Sequence, residues 1–111
     1  MTDMMADRRA APRYALIVVA EVTELSSGMK LQARTSDISR TGCYIDTLKP
    51  FSKGSSIYVC FSYNSQTVQL NAKVVYVNVG LGMGIHFEDA ISEDQWAVLD
   101  RWLESAAHLP V

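Results

Sequence analysis

Between Tyr14 and Phe87 the chain breaks into short runs in which every second residue is apolar. A period of two buries one face only as a β-strand, so this pattern points to a fold built mainly of β-structure. The first run sets Tyr14, Leu16, Val18, Ala20 and Val22 against Ala15, Ile17, Val19, Glu21 and Thr23, which predicts a strand covered on both sides at its start. Ser26-Ser27-Gly28 makes a turn, and Lys30 to Asp37 reads as an antiparallel partner with Leu31, Ala33 and Thr35 on one face. Cys43 to Thr47 and Ile57 to Tyr63 are further strands, separated by Lys49-Pro50 and Lys53-Gly54-Ser55. After the turn at Asn64-Ser65-Gln66, Val68, Leu70, Ala72, Val74 and Tyr76 define one face of a longer strand. Gly80 and Gly82 interrupt the pattern before a last strand, Met83 to Phe87.

Only the end of the chain has helical periodicity. Ser92 followed by Gln95 forms a capping-box pattern, with Glu93 and Asp94 against the positive end of the helix dipole. Trp96, Leu99, Trp102, Leu103 and Ala106 then make one apolar stripe, predicting a helix over about 92–107. Short strands at regular spacing followed by one helix predict an antiparallel barrel or sandwich closed at one end by that helix. A length of 111 residues fits one such domain.

Charge narrows the function classes. Ten Lys and Arg against twelve Asp and Glu give a net charge of −2, which argues against a DNA binder or a general nucleic-acid or membrane-surface binder. Placement says more than the total: Arg8, Arg9, Arg13, Arg34 and Arg40 lie in the first forty residues, and acidic residues crowd the last quarter. Cys43 and Cys60 stand alone, with no metal-ligand or CxxC spacing, and read as buried reduced thiols. No leader or membrane-spanning run is evident, so the expected location is cytoplasmic, with no membrane insertion.

Enzymatic constellations are not found. His86 and His108 have no nucleophile or HExxH context, and Gly82-Met83-Gly84 enters a strand where a phosphate loop would open a helix. The chain is therefore expected to lack catalytic residues, a metal and a cofactor. Two segments stand out instead. Residues 1–13 read as a flexible arm that carries Arg8, Arg9 and Arg13, fixed planar donors suited to phosphate oxygens, to the guanine O6/N7 edge and to stacking on a purine. Asp37-Ile38-Ser39-Arg40-Thr41-Gly42 offers a carboxylate for guanine N1 and N2, a hydroxyl and a glycine suited to a tight turn.

Arg9-Ala10-Ala11-Pro12-Arg13 fits RxxxR, and Asp37 to Gly42 fits [DN]xSxxG, with one hairpin between them. In this order the chain resembles the PilZ domain family, bacterial receptors for cyclic di-GMP. Gly82-Met83-Gly84-Ile85-His86-Phe87 is similar to that family's late GxGxxF strand. The resemblance implies a six-stranded antiparallel β-barrel over residues 14–107 with a C-terminal α-helix. It implies that Arg9 and Arg13 grip phosphates and guanine faces while Asp37 and Ser39 read a guanine edge beside Gly42. An arginine at position 8 resembles the versions that hold a stacked pair of dinucleotides. Arg40 falls at a variable position, with at most a phosphate contact or a supporting place.

The expected mechanism is non-catalytic. The arm folds over the nucleotide, and the altered surface signals to a downstream protein that the sequence does not identify. Two alternatives remain at this point. One is an adaptor of pilus or flagellar assembly that binds no nucleotide. The other is a small barrel for single-stranded RNA, which would require exposed aromatics on a basic sheet face.

Overall fold

Six runs of alternating residues close into one wall. The computed structural model describes residues 12–88 and 91–107. In order they form β1 (Val19–Glu24), β2 (Lys30–Ile38), β3 (Gly42–Asp46), β4 (Ser56–Tyr63), β5 (Gln66–Asn78), β6 (Gly82–Phe87) and α1 (Glu93–Ala107). Every neighbouring pair is antiparallel, and the strands close in the order β1-β2-β3-β6-β5-β4. Closure leaves no long strand edge exposed, which an open six-stranded sheet could not avoid.

The inward phase of each strand fills the interior. Val18, Ala20 and Val22 meet Ile57, Val59 and Phe61, with Val68, Val74, Met83 and Ile85 completing the core. Phe61 is fully buried and packs edge-on against Phe87 at 5.9 Å between ring centroids. Burial of each such side chain is worth about 1.5–3 kcal/mol. Asn64 and Ser65 both have positive φ (51° and 62°), the backbone that a two-residue hairpin needs to follow the right-handed twist of β4 and β5.

The first predicted strand requires correction. Its ladder begins at Val19, and Tyr14 is tied to β2 only by an isolated bridge to Ile38. The buried Thr35 side chain intervenes: its hydroxyl donates to the Leu16 carbonyl at 2.7 Å and accepts from the Val18 N–H at 2.9 Å. Nor is the start covered on both faces, since Ile17 and Val19 are 61% and 56% exposed. A barrel wall packs only inward, and α1 covers an end of the barrel instead of its side. Cys60 likewise sits half-buried, while Cys43 is buried as expected.

Helix α1 lies across the end where the β2–β3 and β4–β5 turns emerge. Leu99, Trp102 and Leu103 join the core there, with Trp102 edge-on to Tyr63 at 5.6 Å. The Ser92 hydroxyl accepts from the Gln95 N–H at 3.3 Å, as a cap should. The Gln95 side chain does not return the bond; it accepts from the Gln69 N–H and so fastens the helix to β5. No described helix is long and apolar enough to cross a membrane.

Candidate functional site

The turn between β2 and β3 is built by one hydroxyl. Ser39 is buried, and its Oγ accepts from the Thr41 and Gly42 N–H groups at 3.1 and 3.2 Å and lies 3.1 Å from the Gly42 carbonyl, to which it donates. The Ser39 N–H closes the loop onto that carbonyl at 2.8 Å. Gly42 does not have the positive φ of a turn glycine. A β-carbon there would overlap the carbonyl oxygen of Ile85, so the glycine is required by the close approach of β3 to β6 and not by turn conformation.

Two bulges set the outer face beside this turn. The β2–β3 register shifts between Thr35 and Asp37, and the β5–β6 register shifts between Val74 and Tyr76. Each inserts one residue, Ser36 or Val75, and so reverses the inward-outward phase. Asp37, which simple alternation from Leu31, Ala33 and Thr35 would send inward, faces out. So does Tyr76, which the sequence pattern had assigned to the same face as Val68 and Val74; it stands among the exposed side chains. Asp37 pairs with Tyr44, Tyr44 with Gly84 and Gly84 with Tyr76, so these residues form a single row across β2, β3, β6 and β5.

The glycines of the late motif are the floor of that row. A β-carbon at Gly84 would collide with the Tyr76 ring, and one at Gly82 with the Tyr44 ring and the Ile45 carbonyl. The two rings lie 6.1 Å apart at 32°, and Asn78 Nδ2 donates to the Tyr44 hydroxyl at 2.9 Å. Sequence reasoning missed both tyrosines as candidates. The available signal was a tyrosine one or two strands away from a Gly-x-Gly run, where bare backbone leaves room for a flat ring.

Arg13 closes the site from the other motif. Its Nη2 and Nε lie 2.7 and 3.0 Å from Asp37 Oδ1. Partial burial pulls the Arg13 pKa down, but the hydrogen bond and charge of Asp37, with the Tyr76 hydroxyl adding to them, outweigh it and hold the guanidinium above its ordinary value. Beneath the row, burial first and the Asp37 charge second push the Cys43 thiol well above its usual value, so it stays neutral. Arg8 and Arg9 lie outside the described residues.

Arg40 points away from this row, toward α1. Its Nε lies 2.9 Å from Asp100 Oδ1, and its guanidinium sits 4.8 Å from the Trp96 ring centroid. A cleft of about 90 Å³ opens there between Arg40, Thr41, His86, Phe87, Glu88 and Trp96. The structure thus brings Arg13, Asp37, Ser39 and Gly42 to one corner, adds Tyr44 and Tyr76, and joins Arg40 to the helix.

A family model described as the PilZ domain matches residues 7–105. No curated protein sequence matches the chain. Among solved structures, the PilZ domain of CeSA from a cellulose-synthesizing bacterium has 18% identity and a TM-score of 0.66, covering 85% of this chain and 97% of that one. The PilZ domain of YcgR from Escherichia coli, solved with c-di-GMP, has 16% identity and a TM-score of 0.73, covering 90% and 92%. The Bacillus subtilis inhibitor of motility MotI/DgrA has 15% identity and a TM-score of 0.73, covering 93% of this chain and 53% of its own. At such identities the likeness is one of fold.

Proposed function

This chain belongs to the PilZ domain family, and from that premise we propose that it is a receptor for cyclic di-GMP that makes and breaks no covalent bond. The family binds this dinucleotide and works through effector proteins. One observation carries the reading to this chain: Arg13 of the RxxxR segment lies on Asp37 of the DxSxxG segment, 24 residues later in sequence. Two phosphates and two guanines require cations, an acceptor for guanine N1 and N2, and a flat surface. Arg13, Asp37 and Tyr76 provide one of each at a single corner.

In this mechanism the Arg13–Asp37 pair exchanges partners. Both groups are partly solvent-exposed, so the pair itself contributes no more than about 1 kcal/mol. The dinucleotide replaces it with charge-assisted hydrogen bonds of about 1.5–3 kcal/mol each: phosphate or guanine on Arg13, a guanine edge on Asp37. Arg9, from the same RxxxR segment as Arg13, and Arg8, just before it, complete the cationic shell around the phosphates. Ser39 and Gly42 hold the corner's shape, and Arg40 relays its position to α1. Calorimetric titration with cyclic di-GMP, with cyclic di-AMP as control, tests the reading. Saturable binding of the guanine dinucleotide alone is expected, and equal binding of both or of neither overturns it.

A further inference from the structure

The barrel end opposite α1 has a composition that connections between strands seldom have. Three connections emerge there: β1–β2, β3–β4 and β5–β6. Hydrogen bonds stitch them into one surface, from the Thr47 N–H to the Leu81 carbonyl at 3.1 Å, from the Leu25 N–H to the Ser56 carbonyl at 3.0 Å, and from the Ser55 hydroxyl to Glu24 Oε2 at 3.0 Å. Phe51, half-buried against the core, anchors the longest of the three. On this braced surface Leu48, Val79 and Leu81 are 81%, 91% and 70% exposed, and Leu25 and Met29 of the β1–β2 connection are exposed as well. Half of the exposed large apolar side chains among the described residues sit at this one end. Single exposed aliphatics are ordinary, but a cluster on a braced surface marks contact with another molecule.

Charge identifies the kind of molecule. Lys49 and Lys53 rise from the β3–β4 connection and Lys30 is the first residue of β2 at the same end, and none of them pairs with a carboxylate of the described residues. Glu24, the nearest acid in sequence to Lys30, is occupied by the Ser27 and Ser55 hydroxyls. We propose that this end is the docking surface for a partner protein, which presents an apolar segment flanked by aspartate or glutamate. A second copy of the chain fits poorly: the same surface on both copies would set lysine against lysine, and docking onto the acidic helix end would give an open-ended polymer. A bilayer fits poorly as well. The Trp and Tyr side chains that anchor a protein at a membrane interface lie on the wall and at the helix end.

Along β2 this surface lies at the opposite end from Asp37, and on β5 and β6 it adjoins the row that holds Tyr76 and Gly84; its role rests on exposure and charge and does not depend on the ligand reading. The test places a benzophenone amino acid at position 48, 81 or, as a wall control, 58, in the full chain expressed in the cells it comes from. Irradiation is expected to give one adduct from 48 and 81 but not from 58, reduced at least tenfold when Lys49→Glu and Lys53→Glu are combined. The cross-linked peptide, mapped by mass spectrometry, should be apolar with flanking acids. Absence of adducts above the control, adducts that survive charge reversal, or adducts only to a second copy overturns the proposal. So does sedimentation of the purified chain with phosphatidylglycerol vesicles. Leu48→Asp with Leu81→Asp should leave the melting temperature and the cyclic di-GMP titration unchanged, which separates a failure here from a failure of the receptor reading.

Discussion

Asp37 and Tyr76 flank the same Arg13 guanidinium, and each reaches it because a bulge one residue earlier turned its strand over. The site is a product of two register errors placed at matching heights on β2 and β5. Were β2 to alternate regularly through Ser36, Asp37 would point at the core and Ile38 at water. Were β5 to alternate regularly through Val75, the Tyr76 ring would turn inward beside Val74, and Gly84 would lie bare.

Removing Arg13 should therefore affect binding and spare the fold. Arg13→Ala is expected to shift the melting temperature by no more than a few degrees, because a partly exposed pair contributes about 1 kcal/mol or less. Loss of one charge-assisted contact should weaken cyclic di-GMP binding by about 10- to 100-fold. Calorimetry beside thermal denaturation checks both halves. A variant that lost stability and affinity in equal measure would make Arg13 a structural residue.

Gly42 and Gly84 should separate in their effects. Gly42→Ala sets a β-carbon against the backbone of Ile85, which has nowhere to go; a loss of roughly 2–3 kcal/mol of stability is expected from the strain imposed on β3. The atoms nearest a β-carbon at Gly84 belong to the Tyr76 ring, which is exposed and yields by turning outward from Tyr44 and Arg13. The stability cost of Gly84→Ala should be under about 1 kcal/mol, while affinity should fall as in Tyr76→Ala, by the 1–3 kcal/mol of a stacked base. Urea denaturation and ligand titration of the three variants distinguish these outcomes.

The sequence made the strands legible where alternation was unbroken, as in β4, whose inward residues Ile57, Val59 and Phe61 follow from spacing alone. It made Asp37 and Arg13 legible as residue types at a motif spacing. It could not show that Tyr76 faces out, because a bulge changes phase without changing composition. The buried hydroxyl of Thr35 was also invisible, since a threonine on the inward face of a strand has the same periodicity as a valine. Ser39 was legible as a motif residue, and its role in holding the turn emerged only with the hydrogen-bond geometry.

Thr35 supplies the sharpest stability test. Thr35→Val keeps the shape and leaves the Val18 N–H without its acceptor and the Leu16 carbonyl without its donor. Each buried group stranded in this way costs about 1–3 kcal/mol, so a loss of roughly 2–4 kcal/mol is expected despite the added methyl. The segment from Arg13 to Val18 is held by these bonds together with the Tyr14–Ile38 bridge. Faster amide exchange at Leu16 and Val18 and weaker ligand binding should accompany the loss. Unchanged exchange would show that the hydroxyl does not hold the segment.

Cys43 should give the fold a distinctive alkaline limit. Its folded pKa lies well above the usual thiol value, because burial and then the Asp37 charge oppose ionisation. Above that usual value the unfolded thiol releases its proton while the folded one keeps it, so the unfolded state binds fewer protons and stability falls as pH rises. The slope is at most about 1.4 kcal/mol per pH unit for one group, and it ends only where the folded thiol itself ionises. Below the unfolded value the contribution is fully present and independent of pH. Cys43→Ala should lower stability at neutral pH through the lost packing and remove this component of the alkaline decline. Thiol labelling provides the companion measurement: half-buried Cys60 should react with a disulfide reagent in the native state, and Cys43 only on unfolding. Native-state labelling of both cysteines, or an alkaline slope unchanged in Cys43→Ala, would remove Cys43 as the source.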